Sequence, residues 1–199
     1  MKTGPAIYNP DGGHFSGYKL MGAVIAFSRH LKKILGPDEK NVGIMLPPSP
    51  AGVIVNLALW LLGKTNVNLN YPSSVDNVKY CAARADVKSV ITSRMFVEKL
   101  KGRGNDYSKI ASENLRIFYA EDFMKEISKA KIASYLVFCV FAPCWLIKFC
   151  FRKRVKLDDI AAIMFSSGSE GTPKGVMLSH RNLMGNIQQL ACIFNVTRA

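Results

Sequence analysis

Between the turn-prone Ser16-Gly17 and the stop at Gly36-Pro37, apolar residues recur at Leu20, Met21, Val24, Ile25, Phe27, Leu31, Ile34 and Leu35. This spacing predicts an amphipathic helix over 18–35. Asn41 to Leu46 is a short apolar run closed by Pro47-Pro48, and residues 51–62 form a second helix, apolar almost all round and ended by Gly63. Such a helix needs cover from both a sheet and something else. A strand over 65–69, a helix over 75–84 and a strand over 89–92 follow. The basic, glycine-containing stretch 99–109 reads as an exposed loop, 115–119 as a strand and 121–133 as a mixed helix. A strand over 159–165, an apolar run at Val176 to Leu178, and a helix over 180–193 capped by Ser179 complete the pattern. Short strands alternating with helices predict an α/β fold, a mainly parallel sheet flanked by helices. No internal repeat is present.

The pattern breaks at Ile132. From there to Phe151 the chain carries one charge, Lys148, and Arg152-Lys153-Arg154-x-Lys156 follows. The run reaches the minimum length for crossing a bilayer, but Pro143 near its centre and Lys148 near its end weaken a simple span. A monotopic segment over 132–156 fits better, with Phe141, Trp145, Phe149 and Phe151 at headgroup depth and the trailing cations on an anionic membrane surface. A buried hairpin and a subunit contact, which would make a homodimer, are the other readings of 132–151.

Composition sharpens this picture. The chain has 199 residues, 49% of them apolar, enough for an ordinary core, which excludes a mostly disordered tail. Its 27 Lys plus Arg against 14 Asp plus Glu give +13, and residues 127–157 hold seven of those cations and no acid. Because the cations flank an apolar run and are not spread among exposed aromatics, a nucleic-acid partner is not expected. Five cysteines without a C-x-x-C pair read as reduced thiols of a cytoplasmic protein, with neither a disulfide framework nor a zinc cluster favoured. The first residues contain no apolar leader, so a secretory signal is not expected.

The chemistry concentrates after the 159–165 strand, in Ser166-Ser-Gly-Ser-Glu-Gly-Thr-Pro-Lys-Gly175. Glycines allow close backbone approach, hydroxyls and N–H groups donate to oxyanions, and Lys174 adds a positive charge. A Walker A loop is excluded: counting from Gly168, Pro173 stands where the second glycine belongs and Gly175 where a hydroxyl should follow the lysine. Composition alone leaves two readings, an anion-binding loop and a glycine-rich surface turn.

Together with Val176 and Leu178-Ser-His-Arg-Asn-Leu183, this stretch resembles the phosphate-binding motif of the adenylate-forming enzymes: acyl-CoA synthetases, luciferases and peptide-synthetase adenylation domains. The resemblance covers about eighteen residues. It implies that Ser166, Ser167, Gly168, Ser169, Gly171, Thr172, Lys174 and Gly175 grip the β and γ phosphates of ATP while a carboxylate attacks the α phosphorus. Lys174 would act catalytically by assisting the departing pyrophosphate as a cation. Glu170, in Ser-Gly-Ser-Glu-Gly, resembles the variant of acyl-ACP synthetases and 2-acylglycerophosphoethanolamine acyltransferases. That implies a fatty acid activated as acyl-AMP and passed to acyl carrier protein, CoA or a lysophospholipid, by a protein lying peripherally on the inner face of the membrane. Upstream, residues 61–72 stand where the family carries an Ala-Gly-Gly stretch, with Asn68 and Asn70 departing from it. His180 reads as a packing or capping residue, and His14 and His30 have no motif around them.

The family's adenine, ribose and Mg segments and its C-terminal domain with the adenylation lysine have no counterpart in this sequence. Residues 1–199 are therefore expected to be an incomplete N-terminal AMP-binding domain with a hydrophobic, basic insertion at about 132–156, inactive in adenylation by itself. The Mg ligand is expected outside it. A second class stays open: a membrane- or partner-docking module that keeps the loop as a fold element.

Overall fold

The structure, a computed structural model, describes residues 5–8, 14–69, 74–102, 106–111, 114–151, 153–166 and 172–193. A short antiparallel pair, β1 (Pro5–Tyr8) and β2 (His14–Ser16), precedes helix α1 (Gly17–Ile34), whose first turn is capped by the Ser16 hydroxyl accepting from Lys19 N–H. Then come β3 (Asn41–Met45), α2 (Pro50–Leu61), β4 (Thr65–Asn68), α3 (Val75–Arg84), β5 (Ser89–Thr92) and α4 (Arg94–Lys101). A single 3₁₀ turn at Tyr107–Ile110 leads into β6 (Arg116–Tyr119), α5 (Ala120–Glu126), α6 (Lys129–Phe141) and α7 (Cys144–Phe151). The chain closes with β7 (Ile160–Ser166), β8 (Lys174–Ser179) and α8 (His180–Ile193).

The main sheet runs in the order β6-β5-β3-β4-β7-β8, parallel throughout except for the β7–β8 pair. The predicted α/β architecture is therefore what the chain adopts. From β3 the chain steps first to β4 on one side and then back across to β5 on the other. The carboxyl ends of β3 and β4 thus flank a topological switch point, where open α/β sheets leave a crevice.

Two cores cover the sheet. On one face α3, α4 and the 3₁₀ turn pack Val78, Cys81, Phe96, Val97, Leu100, Tyr107 and Ile110 against Met45, Val67 and Val90. On the other, α1, α2 and α5 pack Phe27, Leu31, Val55, Leu59 and Phe123 against Val42, Ile44 and Ile91. The nearly all-apolar α2 has the double cover its sequence demands, from the sheet beneath and α1 alongside.

Two sequence expectations change, and the break expected at Pro143 is found. Residues 94–101 are helical, not part of a loop beginning at 99: the Ser93 hydroxyl accepts from Phe96 N–H, and Phe96, Val97 and Leu100 are buried. The mixed helix over 121–133 is two helices, because the chain turns at Ile127-Ser128 and Ser128 caps α6. The apolar stretch 132–151 is likewise broken at Ala142-Pro143 into α6 and α7, since proline cannot continue the helical ladder. Among the described residues no helix is long and apolar enough to cross a membrane.

Candidate functional site

Strand β7 emerges at the carboxyl edge of the parallel sheet beside β4, and β8 returns antiparallel from it. Its burial fades along its length: Ala161, Ala162 and Ile163 are buried, whereas Met164 and Ser166 are exposed. The strand therefore lifts out of the core just where the polar motif begins. Ser166 ends β7 and Lys174 starts β8. The two are cross-strand partners, and the Ser166 hydroxyl donates to the Lys174 carbonyl at 3.4 Å. Thr172, Lys174 and Gly175 are all exposed. Ser167, Gly168, Ser169, Glu170 and Gly171 lie outside the described residues.

The hairpin thus brings Ser166, Thr172, Lys174 and Gly175 together at one end of two paired strands. Gly175 has a packing role the sequence did not reveal. It lies opposite Phe165, and a Cβ there would meet the Phe165 ring at 3.1 Å. The bare backbone lets that ring fold across the strand pair.

At the foot of the hairpin a cavity of about 720 Å³ opens over the carboxyl ends of β3, β4 and β7. Its walls are mostly apolar, with Leu46, Leu57, Trp60 and Phe165 among them and Ser49, Asn56 and Asn68 supplying polar groups. This is the crevice that the strand order leads one to expect. Pro50 in the first turn and the Ser49 hydroxyl accepting from Gly52 N–H fix where α2 starts on its rim. Beneath it the buried Asn66 amide donates to the Asn56 side-chain oxygen at 2.8 Å, tying β4 to α2.

Trp60 connects this crevice to the hairpin. Its indole N–H donates to the Ala161 carbonyl at 2.8 Å, and its ring meets His180 edge-on at 6.2 Å between centroids. His180 therefore packs, as its sequence context suggested. Ser179 caps α8 reciprocally with Asn182: Asn182 N–H donates to the serine hydroxyl oxygen, and Ser179 N–H donates to the asparagine side chain. Arg181 pairs through two nitrogens with Asp158 at the foot of β7. Ser49, Asn56 and Trp60 were not singled out from the sequence, although Ser49-Pro50 after an apolar strand is an N-cap and N1 signal that marks where α2 starts. Among the described residues no three His, Cys, Asp or Glu side chains come together as a metal site.

The sequence profile described as AMP-binding enzyme matches residues 3–198. The chain is 32% identical over 165 residues to 4-coumarate–CoA ligase-like 6 of Arabidopsis thaliana, covering 78% of this chain and 25% of that protein. A stretch of 34 residues is 62% identical to the chloroplastic long-chain-fatty-acid acyl-carrier-protein ligase AEE15 of the same plant, covering 17% of this chain and 5% of the relative. The N-terminal subdomain of NpsA from Klebsiella oxytoca has the same fold, with a TM-score of 0.61 at 18% identity over 86% of this chain and 37% of that one. This chain thus spans about a quarter of the length of the longer-matching plant relative.

Proposed function

We propose a function from the premise that the chain belongs to the AMP-binding enzyme family: it is the N-terminal, phosphate-binding part of an ATP-dependent acyl-activating ligase. In this reaction a carboxylate oxygen attacks the α phosphorus of ATP, the bond to the β-phosphate bridging oxygen breaks, and pyrophosphate leaves. The acyl adenylate then passes its acyl group to a thiol or hydroxyl. The observation that carries the reading is the β7–β8 hairpin, which holds Ser166, Thr172 and Lys174 exposed at the carboxyl edge of the sheet, beside the crevice.

The chemistry assigned to this chain is electrostatic. Hydroxyls and a cation gathered where the paired strands end stabilise charge that grows on the phosphoryl oxygens. The Thr172 hydroxyl donates to those oxygens, the Ser166 hydroxyl joins it on leaving the Lys174 carbonyl, and the Lys174 ammonium follows the departing pyrophosphate. Magnesium bound with ATP would screen the phosphate charge.

The acyl substrate we infer is a fatty acid, on the Glu170 variant of the loop and the 34-residue likeness to a fatty-acid ligase. Carrier-protein thiol, CoA and lysophospholipid are the acceptors in view, CoA being favoured by the longer likeness. Fatty-acid-dependent exchange of labelled pyrophosphate into ATP tests this. We expect none from residues 1–199 and clear exchange from a longer polypeptide that adds adenine- and ribose-binding segments. No exchange from the longer polypeptide with any carboxylate overturns the proposal.

A further inference from the structure

At the amino-terminal edge of the sheet, far from the phosphate hairpin in the topology, lies a second cavity of about 540 Å³. It is framed by the end of α1, the end of α2 and the last turn of α7. Four cations line it: Arg29, Lys32, Lys64 and Lys153. Among the described residues none of the four forms an ion pair. Two carboxylates act on Lys64 through space without an ion pair: Glu39, which is buried against Arg116 at 2.9 Å, and Asp38, which is exposed. Lys64 donates to the carbonyls of Gly36, Pro37 and Glu39, and burial pushes its ammonium below the ordinary lysine value. Arg29 stacks on Phe151 at 4.9 Å and donates to the Cys150 carbonyl, which fixes α7 as one wall.

The same helix carries an exposed apolar surface. Ile147 is buried against Ile25 and Cys139, whereas Trp145 and Phe149, one turn apart, are 68% and 83% exposed. Phe141, at the end of α6, is 82% exposed, and Val137 and Val140 extend the patch. Lys153, Arg154 and Lys156 are exposed on the segment that leaves α7. Exposed aromatics beside cations that form no ion pair among the described residues make a surface matched in charge and polarity to one occupant, an anionic bilayer.

We propose that the α6–α7 hairpin inserts Phe141, Trp145 and Phe149 into the headgroup region of an anionic membrane and that Arg29, Lys32 and Lys153, in the cavity beside α7, receive the phosphate of one of its phospholipids. The hydrophobic insertion holds the face down, and the cationic cavity selects the lipid. Neither depends on the ligase reading.

Sedimentation of the 199-residue chain with phosphatidylcholine vesicles, with and without 30% phosphatidylserine, tests this, and Trp145 emission is followed in parallel. We expect binding to the anionic vesicles only, with a blue shift that Trp145→Phe abolishes. Lys32→Gln/Lys153→Gln should weaken binding by about fivefold per cation removed, and Trp145→Ser/Phe149→Ser should reduce it strongly without lowering the melting temperature. Lys99→Gln/Lys101→Gln on α4 is the control for general basicity and should leave affinity unchanged beside the cavity pair. Absence of binding overturns the proposal, as does an equal loss in the α4 control. Binding of soluble glycerophosphoserine as tightly as vesicles, untouched by Trp145→Ser/Phe149→Ser, overturns the bilayer as occupant. A dimer that dissociates in that double variant, with no vesicle binding, identifies a second copy of the chain instead.

Discussion

Trp60→Phe isolates the link between α2 and β7, the first strand of the β7–β8 hairpin. The indole N–H to Ala161 carbonyl bond, 2.8 Å long, is lost, while an aromatic ring remains to face His180. Ala161 is fully buried, so its carbonyl loses a donor in a place where replacement is costly. A hydrogen bond of this kind is worth about 1 kcal/mol net, and orphaning a buried acceptor costs about 1–3 kcal/mol. Trp60 itself is only half-buried, and water reaching it moves the expectation to about 1–2 kcal/mol. For a chain of this size that is a fall in Tm of about 2–8 °C. Urea unfolding followed by circular dichroism gives the free energy, and amide exchange across Ala161 to Phe165 shows whether β7 is the element that loosens. Trp60→Leu, which also removes the edge-on contact with His180, should lose about 0.5–1.5 kcal/mol more. A loss under about 0.5 kcal/mol for Trp60→Phe, the range of ordinary surface changes, would refute the anchoring role.

Further outcomes follow from single features. Gly63 has φ of +67° after α2, and a Cβ there would stand 3.0 Å from the Lys153 side chain, so Gly63→Ala should cost about 1–2 kcal/mol in urea unfolding. Burial pushes the Glu121 carboxyl up, but hydrogen bonds from the Ser93 hydroxyl and the Arg94 and Met95 backbone N–H groups outweigh it and hold the group below the ordinary glutamate value. That stability is present above the unfolded value of about 4.3 and is lost as pH falls through the lower folded value. The stability gap between wild type and Glu121→Gln should therefore be constant near neutral pH and shrink in acid, as urea titrations at several pH values would show. Burial raises the Cys81 and Cys139 thiols, whereas Cys150 and Cys192 are exposed. Brief iodoacetamide treatment read by mass spectrometry should accordingly label Cys150 and Cys192 ahead of the buried pair.

Local chemistry was legible where it is self-contained. The helix over 75–84, the strands near 65–69 and 89–92 and the capped start of α8 follow from apolar spacing and hydroxyl caps, and they appear within a residue or so of their expected bounds. The family was legible because the residue order of 166–183 is unusual. What the sequence hid depends on partners distant along the chain. Phe96, Val97 and Leu100 look ordinary in a basic stretch until α3 and the 3₁₀ turn close over them. Trp60 gains meaning only when β7, a hundred residues on, presents a carbonyl to it. Likewise Arg29 and Lys32 on α1, Lys64 after α2 and Lys153 after α7 come from three separate parts of the sequence and become one cationic cavity only in the fold.

In the proposed function the β7–β8 hairpin grips the phosphates of ATP through Lys174 and its neighbours. Isothermal titration of MgATP and of pyrophosphate into the chain, beside Lys174→Ala, tests this directly. Both should bind at millimolar strength or tighter, weakened about tenfold or more by the substitution, as for a lost hydrogen bond to a charged group. Failure of pyrophosphate to bind, or equal binding by wild type and Lys174→Ala, would contradict it.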